Sequence, residues 1–195
     1  IYHMVDREAE DSEDDFYQEK GELPRLQKEI MLDRVSYRYP DTKEDVLKEI
    51  SMIIRRGEAV GIVGRSGAGK TTTVDLLLGL LRPREGEILV DGVNIRRNMR
   101  RWLEQVGYIP QRIFMMDDSI RANIAFGESP GEVREEILWE ALRAASLEEF
   151  VRSLPLGLDT QIGERGVRIS GGQQQRIGIA RALYRNPSVL IFDEA

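Results

Sequence analysis

Two rhythms of apolar spacing alternate along this 195-residue chain, and the points where one gives way to the other mark its elements. From Ile30 apolar positions alternate with polar ones, Ile30 and Leu32 on one face and, less regularly, Val35. Tyr37 and Tyr39 close the run before Pro40-Asp41, so a half-buried strand is predicted. A second strand is predicted over Val46 to Ile54, turning at Arg55-Arg56-Gly57-Glu58 into a third over Ala59-Val60-Gly61-Ile62-Val63. Val74 to Leu81 then follows helical spacing. Ile88-Leu89-Val90 ends at Asp91-Gly92, a hairpin signal, so a small antiparallel sheet should flank the core. Val106 to Ile109 reads as a buried strand ended by Pro110-Gln111.

The C-terminal half turns helical. Ser129-Pro130-Gly131-Glu132 supplies a capping residue, a proline at the first helical position and a glutamate three on, ahead of Val133, Ile137, Trp139 and Ala141. Ser146-Leu147-Glu148-Glu149 repeats the capping pattern. Two helices in succession with no strand between them predict a helical insertion over residues 130–154, closed by Pro155 and Gly157. Ser170-Gly171-Gly172 opens another helix carrying Ile177, Ala180, Leu183 and Tyr184. Val189 to Phe192 is a bare apolar run ending in Asp193-Glu194, the pattern of a fully buried parallel strand.

Charge changes the picture at the N-terminus. Residues 1–29 hold ten acids and four bases, so the formal net charge of −6 resides there, while the remainder carries 24 of each sign. Asp6 to Asp15 is too charged to bury, and Gly21 and Pro24 punctuate the residues after it, so 1–29 reads as an acidic linker. A neutral remainder argues against a surface that coats nucleic acid, and Arg96 to Arg101, without interleaved aromatics, reads as a solvated helix face. The absence of cysteine excludes a disulfide framework and Cys-based metal sites. No apolar run approaches the roughly 18 residues of a membrane helix, and Ile1-Tyr2-His3 opens no leader peptide, so a soluble chain is expected.

The chemistry centres on Gly64-Arg65-Ser66-Gly67-Ala68-Gly69-Lys70-Thr71, which lies between a predicted strand and a predicted helix. Its G-x-x-x-x-G-K-[ST] spacing lets the backbone curl until successive N–H groups point inward, an anion nest at a helix N-terminus. Such a nest holds a nucleotide's phosphates: Lys70 would reach the β- and γ-phosphates, and the Thr71 hydroxyl would ligate Mg²⁺, with Thr72 beside it in the phosphate-binding set. By chance this spacing arises in about one chain in a hundred of this length. A second buried strand ending in an acid commonly accompanies such a loop, and Asp193 stands where that metal-holding carboxylate belongs, with Glu194 adjoining.

Ile169-Ser170-Gly171-Gly172-Gln173-Gln174-Gln175-Arg176 resembles the signature motif of the ABC (ATP-binding cassette) ATPases, placed as in that family shortly before the acidic strand. Ile169 replaces the usual leucine, a volume-conserving change. The resemblance covers 30–195 and implies an α/β fold: a P-loop NTPase of ABC type with a mixed-sheet core, a flanking antiparallel β subdomain and a helical subdomain over about 115–185. It implies ATP and Mg²⁺ as ligands. Tyr39 matches the aromatic that stacks on adenine, although its pattern alone suits a half-buried strand residue. Gln111 matches the glutamine that ligates Mg²⁺ and senses the attacking water, and Glu194 the general base that polarises it. Ser170, Gly171, Gly172 and Gln173 match the segment that caps a γ-phosphate bound on a partner chain, so hydrolysis implies a head-to-tail dimer with a second nucleotide-binding domain, identical or different.

Gly163-Glu164-Arg165-Gly166 resembles the loop that marks exporter-type cassettes and contacts their transmembrane domain. An exporter ATPase on the cytoplasmic face of a membrane, the inner membrane if bacterial, is the expected function, with no nucleic acid as partner. The alternative is a non-transport ABC ATPase acting on nucleic acid; nucleotide binding without hydrolysis is disfavoured by Glu194. The family places a further loop and a switch histidine after the acidic strand, whereas His3 is the only histidine here. The chain therefore reads as a fragment that follows a transmembrane domain, ends inside the ATPase core and is inactive by itself.

Overall fold

The computed structural model describes residues 21–129, 131–163 and 169–193, which divide into two compact units at Gln105/Val106. In the first, β1 (Glu29–Tyr37) lies between β2 (Leu47–Arg55) and β3 (Glu85–Val90), with β4 (Val93–Asn94) at the edge, all antiparallel. Ile30, Leu32 and Val35 are all buried. The three-residue step between Leu32 and Val35 should put them on opposite faces, and a bulge prevents it: the register slips there against both neighbours, and Arg34 takes a left-handed φ of 48°. Opposite the bulge stands Gly86, where a Cβ would run into the carbonyls of Asp33 and Arg34. The hairpin at Asp91-Gly92 forms as expected, both residues at positive φ.

Helix α1 (Lys70–Leu77) begins at the glycine loop, and α2 (Met99–Leu103) is capped by the Asn98 side chain. The two are joined through Trp102, fully buried, whose indole N–H donates to the Leu77 carbonyl at 2.6 Å. That bond occupies one of the carbonyls a helix end leaves without an internal partner. The expected third strand at Ala59–Val63 is not formed: among the described residues no strand pairs with it, and Val63 is 92% exposed. A run apolar on both faces needs a neighbour along each edge and a packed layer on each side. The antiparallel sheet of this unit closes at β2 and β4 and supplies neither.

Residues 21–28, the end of the stretch read as a linker, are fastened to this unit. Leu23 and Leu26 are buried, Gln105 receives the Leu26 N–H at 2.7 Å and donates to the Pro24 carbonyl, and Asn98 donates to that of Gly21. Asp91 accepts the N–H groups of Gln27, Lys28 and Glu29 at 2.7–2.9 Å. Burial opposes its ionisation, but the three backbone donors outweigh burial and hold its pKa below the ordinary 3.8. A depressed folded value means this stabilisation is complete above about 3.8 and is lost as pH falls through the folded value. Asp91→Asn, which keeps the left-handed turn, should lower stability at pH 7 by about 1 kcal/mol, the low end for bonds to a charged group because the site is partly exposed. Thermal unfolding at pH 7 and pH 3 checks this: the gap between the two proteins should narrow at the lower pH, and an equal gap at both would remove the charge from the explanation.

The second unit holds a parallel pair, β5 (Val106–Ile109) and β8 (Val189–Phe192), in direct register from Val106↔Val189 to Ile109↔Phe192. A short antiparallel pair, β6 (Asp118–Ser119) and β7 (Gln161–Ile162), joins its loops. Helices α3 (Ile120–Ile124), α4 (Glu135–Ala144), α5 (Glu148–Ser153) and α6 (Gly171–Tyr184) bury one core around Ile120, Leu138, Leu142, Leu147 and Ile177. β8 is parallel as expected but not fully buried, since Leu190 and Phe192 are 40% and 47% exposed.

Two helix starts differ from the sequence pattern. Helix α4 begins at Glu135, five residues beyond the expected Pro130, which itself lies outside the described residues. The Tyr184 hydroxyl sets the start by accepting the Arg134 N–H at 3.0 Å while donating to Glu128 at 2.6 Å, and Glu135 and Glu136 then favour the helix N-terminus. Burial, then the Glu128 hydrogen bond, pushes the Tyr184 pKa up, so the hydroxyl stays protonated. Ser146 does not cap α5: it turns left-handed, with φ 55°, at the end of α4, and the N-cap of α5 is Leu147 without a side-chain bond. Among the described residues no helix is long and apolar enough to cross a membrane.

Candidate nucleotide-binding site

The loop 64–69 curls as its glycines predict. Gly67 and Gly69 adopt φ 81° and 83°, the left-handed turns that an anion nest requires, while the Ala68 N–H between them donates to the Arg65 carbonyl at 3.1 Å. Gly69 is required twice over, because a Cβ there would also come within 2.6 Å of Leu47 Cδ2. Gly64, Arg65, Ser66, Gly67 and Ala68 are exposed, so the concavity opens to solvent. Lys70 Nζ reaches back across the loop to the carbonyls of Gly64 and Arg65, at 3.0 and 3.1 Å. An ammonium has three donors, so one stays available to an anion in the nest. Thr71 is exposed in the first turn of α1, while Thr73 is buried and its hydroxyl donates to the Gly69 carbonyl at 2.9 Å.

Tyr39 lies just beyond β1, not within it, which separates it from its strand-residue reading. Its ring stands edge-to-face with Tyr37, centroids 5.0 Å apart, and its hydroxyl is 3.1 Å from that of the buried Thr72. An aromatic side chain is thus tied directly to the helix that carries the phosphate nest. The pattern of residues 30–39 alone held no sign of that bond, since its partner lies 33 residues away.

In the second unit, Gln111 is exposed two residues after β5. Ser170 forms a complete capping box at the start of α6: its Oγ accepts the Gln173 N–H at 3.2 Å, and Gln173 Oε1 accepts the Ser170 N–H at 2.8 Å. Between them Gly171 and Gly172 are exposed, with no neighbouring atom within 4 Å of where a Cβ would sit. Nothing in the described chain requires glycine at either position, so their smallness suits approach by a group from outside it. Asp193 continues the parallel ladder, its N–H donating to the Ile109 carbonyl at 3.0 Å, and its carboxylate accepts the Tyr108 hydroxyl at 3.4 Å. Glu194 and residues 164–166 of the expected exporter loop lie outside the described residues; Gly163 takes φ 111° against Asp117.

Among the described residues no cluster of three or more acidic, histidine or cysteine side chains could cage a metal. Taken separately, the exposed Thr71 hydroxyl of the first unit and the Asp193 carboxylate of the second are each oxygen donors of the type Mg²⁺ accepts, an ion that binds through one or two carboxylates and completes its shell with phosphate oxygens and water.

A family model described as ABC transporter matches residues 47–195. The ATP-dependent lipid A-core flippase of Pseudomonas aeruginosa is 40% identical over 199 residues, covering the whole of this chain and 32% of that protein. The leukotoxin translocation ATP-binding protein LktB of Mannheimia glucosida is 41% identical over 180 residues, 92% of this chain and 25% of its own. Among solved structures, that of a bacterial Atm1-family ABC exporter with ATP bound superposes with a TM-score of 0.78 at 37% identity, over 88% of this chain and 30% of that one. The chain thus spans about a third or less of the length of the curated relatives it matches.

Proposed function

Because the chain belongs to the ABC transporter family, we propose that it is the ATP-binding and ATP-hydrolysing part of an exporter-type transporter, which converts ATP and water to ADP and phosphate and couples this to movement of a substrate across a membrane. The observation that carries the reading is that one family match, over 47–195, contains both the phosphate nest at Gly64–Thr71 and the capped glycine pair at Gly171–Gly172. The nest and Lys70 hold the β- and γ-phosphates, and Tyr39 stacks on adenine, held in place by Thr72. Thr71, Gln111 and Asp193 hold Mg²⁺, which when bound neutralises charge developing on the phosphates. Glu194 takes the proton of the attacking water. The Ser170–Gln173 cap, whose glycines face open space, closes on a γ-phosphate carried by a second nucleotide-binding domain, so ATP binding favours a dimer and hydrolysis releases it. That alternation moves an attached transmembrane domain.

The export assignment is supported by the relatives, named for flipping and translocation, and by the exporter structure that superposes. The alternative, an ATPase acting on nucleic acid, is disfavoured by the neutral charge of residues 30–195. Purification of the full-length protein that carries this chain separates the two. ATPase activity should fractionate with membranes, survive reconstitution in lipid vesicles and be indifferent to duplex DNA or RNA. Recovery from the soluble fraction with ATPase stimulated by either nucleic acid would overturn the exporter reading.

A further inference from the structure

We infer that Arg181 is a positioning residue that locks the loop after Gln111 to helix α6, so that Gln111 and the Ser170 cap are carried as one body; this rests on the reading that both serve ATP turnover. Arg181 lies eleven residues beyond Ser170, about 16 Å along the helix. Its Nε donates to the Asn123 carbonyl at 2.7 Å, Nη1 to the Phe114 carbonyl at 3.0 Å and Nη2 to Asn123 Oδ1 at 3.2 Å, with the guanidinium 5.3 Å from the Phe126 ring centroid. Phe114 is three residues past Gln111. Asn123, fully buried, extends the knot: its amide donates to the carbonyls of Met116 and Ser119, at 3.1 and 3.0 Å, and its Oδ1 accepts the Met116 N–H at 2.9 Å. One turn earlier on α6, Gly178 admits Ile113, whose Cδ1 would come within 2.5 Å of a Cβ there. Ile113, Phe114 and Met116 are therefore all held, directly or through Asn123, by α6.

Chemistry separates this role from plain packing. Burial lowers the pKa of Arg181, and among the described residues no carboxylate pairs with it; its partners are carbonyl and amide oxygens. A half-buried cation of this kind is poorly chosen for stability alone, since an apolar side chain of similar volume fills such space without the desolvation cost. What the guanidinium offers is a rigid planar fork that sends separate nitrogens to the carbonyls of Asn123 and Phe114, residues from different segments, while a third reaches Asn123 Oδ1. Residues 110–117 form no helix or strand, so their carbonyls need donors from elsewhere, and Arg181 supplies one to the loop at Phe114.

The test compares Arg181→Met, of similar length and uncharged, with Arg181→Lys, which keeps the charge on a single nitrogen without the planar fork, in the full-length protein. Affinity for a fluorescent ATP analogue measured without Mg²⁺ should stay within about twofold, because Tyr39 and the phosphate loop lie in the other unit, while kcat with Mg²⁺ falls about 10- to 100-fold in the Met variant, the scale of a misplaced group, and less in the Lys variant. Amide exchange across 111–119 should rise at least about tenfold in the Met variant, with 138–142 of α4 unchanged. Unchanged exchange in 111–119, or turnover within about twofold of the parent, would overturn the inference. Should the parent itself prove devoid of ATPase activity, the functional reading falls, and the exchange data alone decide whether Arg181 fixes the loop. If the Met variant fails to fold, the same two readouts on the Lys variant decide.

Discussion

Replacing Lys70 by alanine should lower kcat/KM for ATP at least a hundredfold while leaving the fold intact. Lys70 does two things in the loop. Its ammonium spans the carbonyls of Gly64 and Arg65, and it retains a donor for the phosphates the loop is proposed to receive. Loss of one preorganised donor at a site of developing charge costs about 10²- to 10³-fold in rate, and here the loop that presents the backbone donors loosens as well. Its bonds to the loop lie at the exposed surface, so thermal stability should change by no more than about 0.5 kcal/mol. Lys70→Arg separates the two functions: it restores the charge but not the fit, because a planar fork cannot sit where a compact ammonium bridges two carbonyls 3 Å away. Phosphate release measured on the full-length protein and both variants decides the matter. Equal rates in Lys70→Ala and its parent would remove the loop from the chemistry.

The features that could be read from the sequence are those whose partners lie within a few residues. The glycine loop is written in eight consecutive positions, and the two left-handed turns it needs fall at Gly67 and Gly69. The Ser170 cap is similar: Ser170 and Gln173 satisfy each other, so three residues of spacing determine the helix start. Sequence spacing misled where a residue had a second possible use. Ser146 stands ahead of an acidic pair as a cap should, but the chain needs a left-handed residue there to leave α4, and that requirement wins. At Ser129-Pro130 the capping pattern is present, but a distant hydroxyl, Tyr184, sets the start of α4 at Glu135.

What could not be read is non-local. The slip at Arg34 depends on Gly86, on another strand, being small enough to receive it. The charged N-terminal stretch looked like linker through to residue 29 because its composition is polar, yet Asp91, more than 60 residues on, gathers three of its N–H groups. Arg181 belongs to no local pattern: both carbonyls it grips lie more than 55 residues away. The run Ala59–Val63 shows the opposite limit. Its apolar character predicts a buried strand, but Val60, Ile62 and Val63 are exposed and no strand forms, because pairing depends on edges that only other segments can offer.

The second large effect is expected from Glu194→Gln, which should lower ATP hydrolysis by about a hundredfold or more while leaving ATP binding unchanged, the scale of a lost general base. The substitution keeps the size of the side chain and removes its capacity to accept a proton from water. Its neighbour defines the contrast. Asp193 has its backbone in the β5–β8 ladder and its carboxylate on the Tyr108 hydroxyl, a fixed position suited to holding a cation. Replacement of Asp193 should therefore weaken binding of nucleotide with Mg²⁺, whereas replacement of Glu194 should spare binding and stop the step after it. If the Ser170–Gln173 cap closes on bound, uncleaved γ-phosphate as proposed, the Glu194→Gln protein should accumulate as an ATP-loaded dimer that outlasts removal of free nucleotide. Single-turnover phosphate release alongside retention of radiolabelled ATP after gel filtration measures both halves. Turnover within about twofold of the parent would take the general-base role from Glu194; slow turnover without retained ATP would instead place its contribution in closing the dimer.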